Sequence, residues 1–444
     1  MSTATEPQAE YRAAEESSSF LTRALHLKKG ELPFALLAFL LFFTIFSSYS
    51  VLRPVRDTMG IASGLNSLQW LFTATFLCSF AIQIPYFYVL GRISRRIILP
   101  VVFGFFALNL LGFSYALAHE INLVWVGRIF YVWLSVFNLL VISLGWSVLN
   151  DVLSAAESKR LFAIGAAGSS AGAMAGPLLT ATLVRLTGLH ALMIISVLLL
   201  CAAAVISQLL FYLRSRHPLP QSAAKPARLK AGIMEGLVST FRSKYLLGIA
   251  LFVILASTAN TFLYFAQMHI VADSFKTKEE QTLVFSVIDL IVNTSTIALQ
   301  LFVTGRLADR FGLKPLLSLV PALVALCFVV LMAAPVLTVI IAAMVVRRIG
   351  EYALVRPGKE MLFSAVSLDE KYKAKSFIDT VLYRGGDVAS AFVTQFLSSL
   401  GGIVFSAAGG CVLALLWLGN ALFLCRLYRH RTAVESPATQ NSQA

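Results

Sequence analysis

Long apolar runs, broken by short polar stretches, fill almost the whole chain. A helix needs about 20 residues to cross the hydrocarbon of a bilayer. Windows of that length predict twelve spanning helices, over 33–52, 67–90, 97–118, 121–148, 161–186, 189–213, 244–271, 281–304, 314–334, 336–363, 376–399 and 401–427. The runs are too long for barrel strands and lack their period-two alternation, so the expected class is an all-α integral membrane protein. Tight connections at Ala333-Ala334-Pro335 and Leu400-Gly401-Gly402 turn neighbouring helices back on each other. Composition agrees: 58% hydrophobic residues, 13% charged and a mean hydropathy of +0.79 would leave a soluble chain with nowhere to put its apolar surface.

The net charge of +14 has an explanation in topology. Cytoplasmic loops collect Lys and Arg. With both termini inside, the inner segments hold twenty-five of the thirty-six basic residues, and the outer ones at most Arg53, Arg56, Arg185, Lys276 and Lys278. That asymmetry predicts a multi-pass protein of the cell inner membrane with both ends cytoplasmic. It also removes the nucleic-acid reading of a basic chain, because the charge is spread over short loops. The first thirty residues carry Glu6, Glu10, Glu15, Glu16 and the run Ser17 to Ser19, with no apolar core of a signal peptide, so they are expected to remain as a tail. Five cysteines stand singly, which argues against a disulfide framework or a metal site.

The chain repeats itself. GRISRR at 91–96 follows the second predicted helix and GRLADRFGLKP at 305–315 the eighth, an offset of 214; ESKRLF at 157–162 precedes the fifth and YKAKSF at 372–377 the eleventh, an offset of 215. Two unrelated loops with nearly the same offset predict two parallel six-helix halves. The expected organisation is a tail (1–30), an N-terminal bundle (31–213), a proline-containing linker (214–243), a C-terminal bundle (244–427) and a second tail (428–444).

Several ionisable residues sit where hydrocarbon penalises them: Arg53, Arg56 and Asp57, then Arg128, then Arg347, Arg348 and Glu351, then Arg384 and Asp387. Such residues face a water-filled path or a partner. Guanidinium forks suit bidentate phosphate or carboxylate contacts, so the residues predict a small anionic substrate. Arg348, Tyr352 and Arg356 recur every fourth position and share a helix face, where an aromatic between two arginines is placed to stack a base. The competing reading is structural: Arg347 or Arg348 pairs with Glu351 and Arg384 with Asp387. Asp289 and His269 are candidates for proton coupling, although a lone His is more often packed and hydrogen-bonded.

GRLADRFGLKP resembles the signature loop of the major facilitator superfamily, through Gly305, Asp309, Arg310, Gly312 and Lys314, with a weaker Gly172, Gly176, Pro177 pattern in the fifth helix. The first-half copy has Arg95 where the acidic residue belongs. The resemblance implies two rocking six-helix bundles with the first, fourth, seventh and tenth helices lining a central site, which places Arg53, Arg56, Arg128, Tyr264, Arg347 and Arg348 around the substrate. It also implies gating through Asp309 and Arg310. Three blocks are similar more narrowly to the non-mitochondrial ATP/ADP antiporters of plastids and intracellular bacteria: LRPVRDT at 52–58, the segment from Trp146 through Asn150 to Gly165, and EMLFSAVSLDEKYKAKSFIDTVLYRGGD at 360–387, which contains Lys371, Lys373, Lys375 and Asp379. Pro54 stands where that family commonly has an acidic residue and Arg56 where it has a lysine.

The reading is a secondary transporter of an anionic, phosphorylated metabolite, with ATP/ADP exchange as the expected activity, rather than an enzyme. It needs no cofactor and no metal, works in a lipid bilayer and is expected to be a monomer. Glu351, Asp379, Arg384 and Asp387 join Asp309 and Arg310 as gating or ion-pair residues. The alternatives are a facilitator of another organic anion and a flippase that binds lipid headgroups. A nucleotide-hydrolysing pump is disfavoured because Gly358-Lys359 is followed by Glu360, outside any P-loop pattern.

Overall fold

The computed structural model describes residues 31–216 and 233–440, apart from 368–369, 371–373 and 376. The expected N-terminal tail, the middle of the linker, Lys371 and Lys373 lie outside the described residues. The described chain is helical, and each of the twelve predicted windows falls on helix. In order these are α1 (Leu32–Ala62), α2 (Leu68–Ala81), α3 (Gln83–Arg92), α4 (Arg95–Ala118), α5 (Leu123–Val152), α6 (Ala155–Arg216), α7 (Ile233–Arg242), α8 (Lys244–Ser274), α9 (Lys278–Leu299), α10 (Gly305–Phe311), α11 (Leu313–Ala333), α12 (Leu337–Gly350), α13 (Arg356–Ser364) and α14 (Tyr383–Gln440). By length and composition, eight helical runs among the described residues suffice to cross a membrane. Two of them, α6 and α14, each contain a sharp bend. At these bends the backbone passes through φ of +72° at Gly188 and +64° at Gly402, a region open to glycine because it has no Cβ.

Three turns widen from α to π geometry: Gln300–Thr304 after α9, Glu351–Val355 between α12 and α13, and Ile378–Leu382 before α14. Each carries one extra residue in the turn, a feature that clusters at functional sites.

Two apolar cores form. One draws on α1, α4, α5 and α6, with Phe42, Phe103, Phe130 and Phe137 fully buried; the other draws on α8 and α11–α14, with Phe252, Phe262, Phe328 and Trp417 inside. The outward faces are apolar as well, Leu186 being 81% and Leu301 72% exposed. In water such a belt would drive aggregation, whereas in lipid it costs nothing.

Within the N-terminal half, α1 and α6 pack backbone against backbone. A Cβ on Gly168 would come within 2.3 Å of the Phe39 carbonyl oxygen and one on Gly172 within 2.5 Å of the Phe43 carbonyl oxygen, while Gly176 abuts Ser50. Glycine at every fourth position makes a groove that a neighbouring membrane helix fills. The start of α6 is fixed by a capping box: Glu157 accepts from the Ser154 N–H at 2.7 Å, the Ser154 Oγ accepts from the Glu157 N–H at 3.2 Å, and Arg214 closes on the same carboxylate at 2.8 Å.

A third cluster mixes both halves. Leu68, Leu71 and Tyr131 pack with Tyr264, Phe265, Met268 and Phe285, and the Thr58 and Thr282 hydroxyls meet at 2.7 Å. These residues gather at the end of the bundle where α1 and α8 finish, so the halves are joined there.

Candidate functional site

Between the halves lies a cavity of about 560 Å³, within the range of a small-molecule site. Helix α1 lines it with Tyr49, Ser50, Arg53, Arg56 and Asp57, positions spaced three to four apart and therefore on one face. Pro54 lies inside this helix and has no N–H to give the Ser50 carbonyl one turn back. From α5 come Tyr131, Ser135 and Asn138; from α8, Asn260, Tyr264 and Gln267; from α9, Phe285, Asp289 and Asn293. Arg347 and Arg348 on α12, Tyr352 in the π turn, Arg356 on α13, and Tyr383, Arg384 and Asp387 on α14 add the rest of the charged wall, and Phe72, Thr75 and Phe76 on α2 contribute a mostly apolar part.

Six arginines and three aspartates line this space. With every group ionised the walls keep three positive charges, in surroundings where Coulomb attraction is far stronger than in water. An anion is the ligand that such a lining favours.

The ion pairs differ from the sequence expectations. Arg56 grips Asp57 at 2.7 Å, Asp57 also accepts from the Tyr264 hydroxyl of the other half at 3.0 Å, and Tyr264 meets Tyr131 at 3.0 Å. The Arg56 guanidinium lies 5.0 Å from the centre of the Tyr131 ring, a cation–π contact. Arg348 does not pair with Glu351. It donates to Asp289, whose second oxygen is 3.7 Å from Arg53 Nε. Glu351 instead faces Arg356 at 3.9 Å, because in a π turn it is the residue five positions on that comes into line. Arg347 is buried with no carboxylate within 4.0 Å among the described residues, and its Nε has no hydrogen-bond partner there. The expected Arg384–Asp387 pair is absent among the described contacts. Asp387 takes hydrogen bonds from Ser257 and, at 3.4 Å, from Thr261 on α8, since helix packing brings those hydroxyls closer than the guanidinium one turn away. Arg356 stacks on Tyr352 at 4.5 Å.

Arg53, Arg56, Asp57, Tyr264, Arg347, Arg348, Tyr352, Arg356, Arg384 and Asp387 thus converge on one cavity. Arg128 does not line it. At the start of α5 this residue folds over the Trp125 ring, 4.9 Å from its centre, and reaches the Ser63 carbonyl at 3.3 Å. Asp309 and Arg310 lie exposed on the short α10, and Asp379 pairs with Lys359 at 2.8 Å; none of the three lines the cavity. His269 contacts its own helix at the Phe265 carbonyl, 2.8 Å away, and also lies off the lining. Asp289 had stood only as a proton-coupling candidate, and the structure makes it the counter-ion of two arginines. Tyr49, Tyr131, Asn138, Asn293 and Tyr383 were missed. Polar stripes at helical spacing, Tyr131, Ser135, Asn138 on α5 and Asp289, Asn293 on α9, were the available signal.

A family model described as Major Facilitator Superfamily matches residues 34–275. ADP,ATP carrier protein 1 of Chlamydia trachomatis serovar D is 24% identical, over 93% of this chain and 91% of that protein. Among solved structures, a bacterial homologue of the human lysosomal transporter Spinster, captured inward-facing and unoccupied, superposes with a TM-score of 0.63 at 16% identity, covering 91% of this chain and 99% of that one. The nucleoside transporter NupG gives 0.58 at 14% identity, covering 89% and 99%.

Proposed function

The chain belongs to the Major Facilitator Superfamily, a multi-pass membrane transporter, and we propose that it exchanges anionic, phosphorylated metabolites of the ATP and ADP type by alternating access. One observation carries the reading: a cavity built by both halves with six arginines against three aspartates. Arginine supplies the planar fork that matches phosphate oxygens and stays charged at any physiological pH. The relative of Chlamydia, an ADP,ATP carrier, directs the choice of anion toward nucleotides. Tyr352, held against Arg356 and beside Arg348, is the ring proposed to stack the base.

In this reading the halves at 31–213 and 244–427 rock about the cavity and present it to each side in turn. Asp309, Arg310, Glu351 and Asp379 act at helix ends as gating or ion-pair residues. The chain works as a monomer in the inner membrane with both termini cytoplasmic.

The test is thermal stabilisation of the purified protein by nucleotides, sugar phosphates and dicarboxylates, since a ligand that binds the folded state alone raises the melting point. Nucleoside di- and triphosphates are expected to give the largest shift. A shift confined to dicarboxylates would make the protein a carrier of another organic anion. Orientation is checked by single cysteines: those replacing Ser222 and Ser442 are expected to label only from the cytoplasm, and one replacing Ser274 from outside.

A further inference from the structure

Asp289 is 4% exposed, and it ties the two halves together at the anion site. One carboxylate oxygen accepts from Arg348 Nη1 on α12, and the other is 3.7 Å from Arg53 Nε on α1. Arg348, 5% exposed, keeps its Nε and Nη2 without a hydrogen-bond partner among the described residues, and the neighbouring Arg347, 7% exposed, keeps its Nε likewise. A buried guanidinium with half its donors unmade is costly. Those donors are buried in the cavity wall, and a ligand oxygen that reached them would supply the missing partner. The Asp289 carboxylate already supplies two oxygens between Arg53 and Arg348, the arrangement one phosphoryl group would supply.

We infer that Asp289 is a built-in counter-anion that holds the place of one acidic group of the substrate between Arg53 and Arg348, so that substrate binds by displacing it and thereby unties the two halves. The inference rests on the anion-site reading. Two consequences follow from the positions. The substrate carries at least two acidic groups, one to replace Asp289 and one to reach the unpaired donors of Arg347 and Arg348, which favours a diphosphate over a monophosphate. The empty carrier stays tied, because Arg53 and Arg348 belong to different halves and share one carboxylate. Exchange, rather than one-way leak, is then a property of this carboxylate.

The experiment compares the parent protein with Asp289→Asn. With the competing carboxylate neutralised, the variant is expected to bind ADP about tenfold more tightly, while AMP gains less. In liposomes loaded with ADP, the parent is expected to release it only when ADP is supplied outside, whereas the variant releases it into nucleotide-free medium at a rate approaching exchange. Equal or weaker ADP binding by folded Asp289→Asn overturns the inference, and so does a parent-like demand for external ADP. If the parent itself binds no phosphorylated anion, the anion-site reading has failed; if the parent binds and the variant gains nothing, only the inference has. Should the variant not fold, cysteines replacing Thr58 and Thr282, whose hydroxyls are 2.7 Å apart, ask the same question with Asp289 intact. ADP is expected to slow their cross-linking several-fold, and cross-linking indifferent to ADP overturns the inference.

Discussion

The two halves solve one packing problem with the same materials in different proportion, since Ser48 also meets Ser196 at 2.7 Å in the first half and Gly410 packs against the Phe328 ring in the second. In the N-terminal half, Gly168, Gly172 and Gly176 let α6 lie directly on the backbone of α1. In the C-terminal half, α8 and α14 meet through hydroxyls and a carboxylate, Ser257 to Asp387 and Ser390 to Thr258 at 2.8 Å. All three π turns among the described residues fall in the C-terminal half as well, at Gln300–Thr304, Glu351–Val355 and Ile378–Leu382. A backbone-on-backbone contact has no slack, because a packed interior forfeits its attraction over gaps below an ångström. Turns with a surplus residue, joined by side chains that can rotate, have somewhere to move. The charge is divided the same way: Arg53 and Arg56 stand on the close-packed half, and Arg347, Arg348, Arg356 and Arg384 on the looser one. The backbone-on-backbone seam thus belongs to one half and the widened turns to the other, and in the proposed function the second is the wall that adjusts to the anion.

The hardest blow to that contrast is at the glycine groove. Gly172→Leu should cost at least about 3 kcal/mol, since overpacking here meets a carbonyl that cannot yield, and is expected to abolish monodisperse protein on size-exclusion chromatography. Its C-terminal counterpart, Gly386→Ala, meets nothing closer than 3.5 Å and should leave the melting temperature unchanged or slightly raised, as alanine is the better helix former. Equal damage from both would remove the distinction between the halves.

Next in size are the arginines. Arg348→Ala and Arg56→Ala each remove a charge-assisted bond worth about 1.5–3 kcal/mol, measured as weaker binding of the best anion by isothermal titration. Lysine at either position should restore only part, for want of the fork. Arg185→Ala and Arg128→Ala are expected to change binding little. If Arg348→Ala and Arg56→Ala bind as well as the parent, these side chains serve as ion pairs between the halves and the adjusting wall has no ligand to adjust to.

A smaller effect tests the hydroxyl seam. Ser257→Ala leaves Asp387 with one fewer donor and should lower stability by about 1–3 kcal/mol, seen in thermal unfolding. The smallest effect belongs to Glu157, outside the spans. Burial opposes its ionisation, but the Ser154 N–H and Arg214 outweigh it and hold its carboxyl below the ordinary range. A depressed folded value means that the contribution is present above the unfolded carboxyl range, near pH 4, and is lost as the pH falls through the folded one. Glu157→Gln should therefore lower the melting point at pH 7, by a margin that shrinks as the pH is taken below about 4.

Much of this was legible in the chain. The apolar windows gave helices in the right places because the hydrocarbon thickness imposes a length that only continuous apolar runs meet. Eleven of the arginines, acids and tyrosines singled out, Asp289 among them, also reach the cavity, since a charge inside such a run has few other places to go. The pairings were not legible. Arg53, Asp289 and Arg348 come from three separate helices in both halves, and sequence spacing proposes only partners on the same helix, such as Glu351 and the Arg384–Asp387 pair. The π turn at Glu351–Val355 shifts that register by a residue, and nothing in the residues 351–355 announces it. Arg128 was assigned to the cavity because its helix lines it, yet it sits a full two turns from Ser135, at the helix start.

The three unbalanced positive charges of the cavity have a consequence for the ionic medium. A cavity of about 560 Å³ with that fixed charge would act as a small anion exchanger. In the proposed function, chloride, sulfate or buffer phosphate would enter and be released when a better anion arrives, so each binding event would also be a counterion release whose strength falls with salt. An affinity measured in chloride is therefore a difference between two anions, and replacing chloride by a bulky organic anion should raise it without any change in the protein.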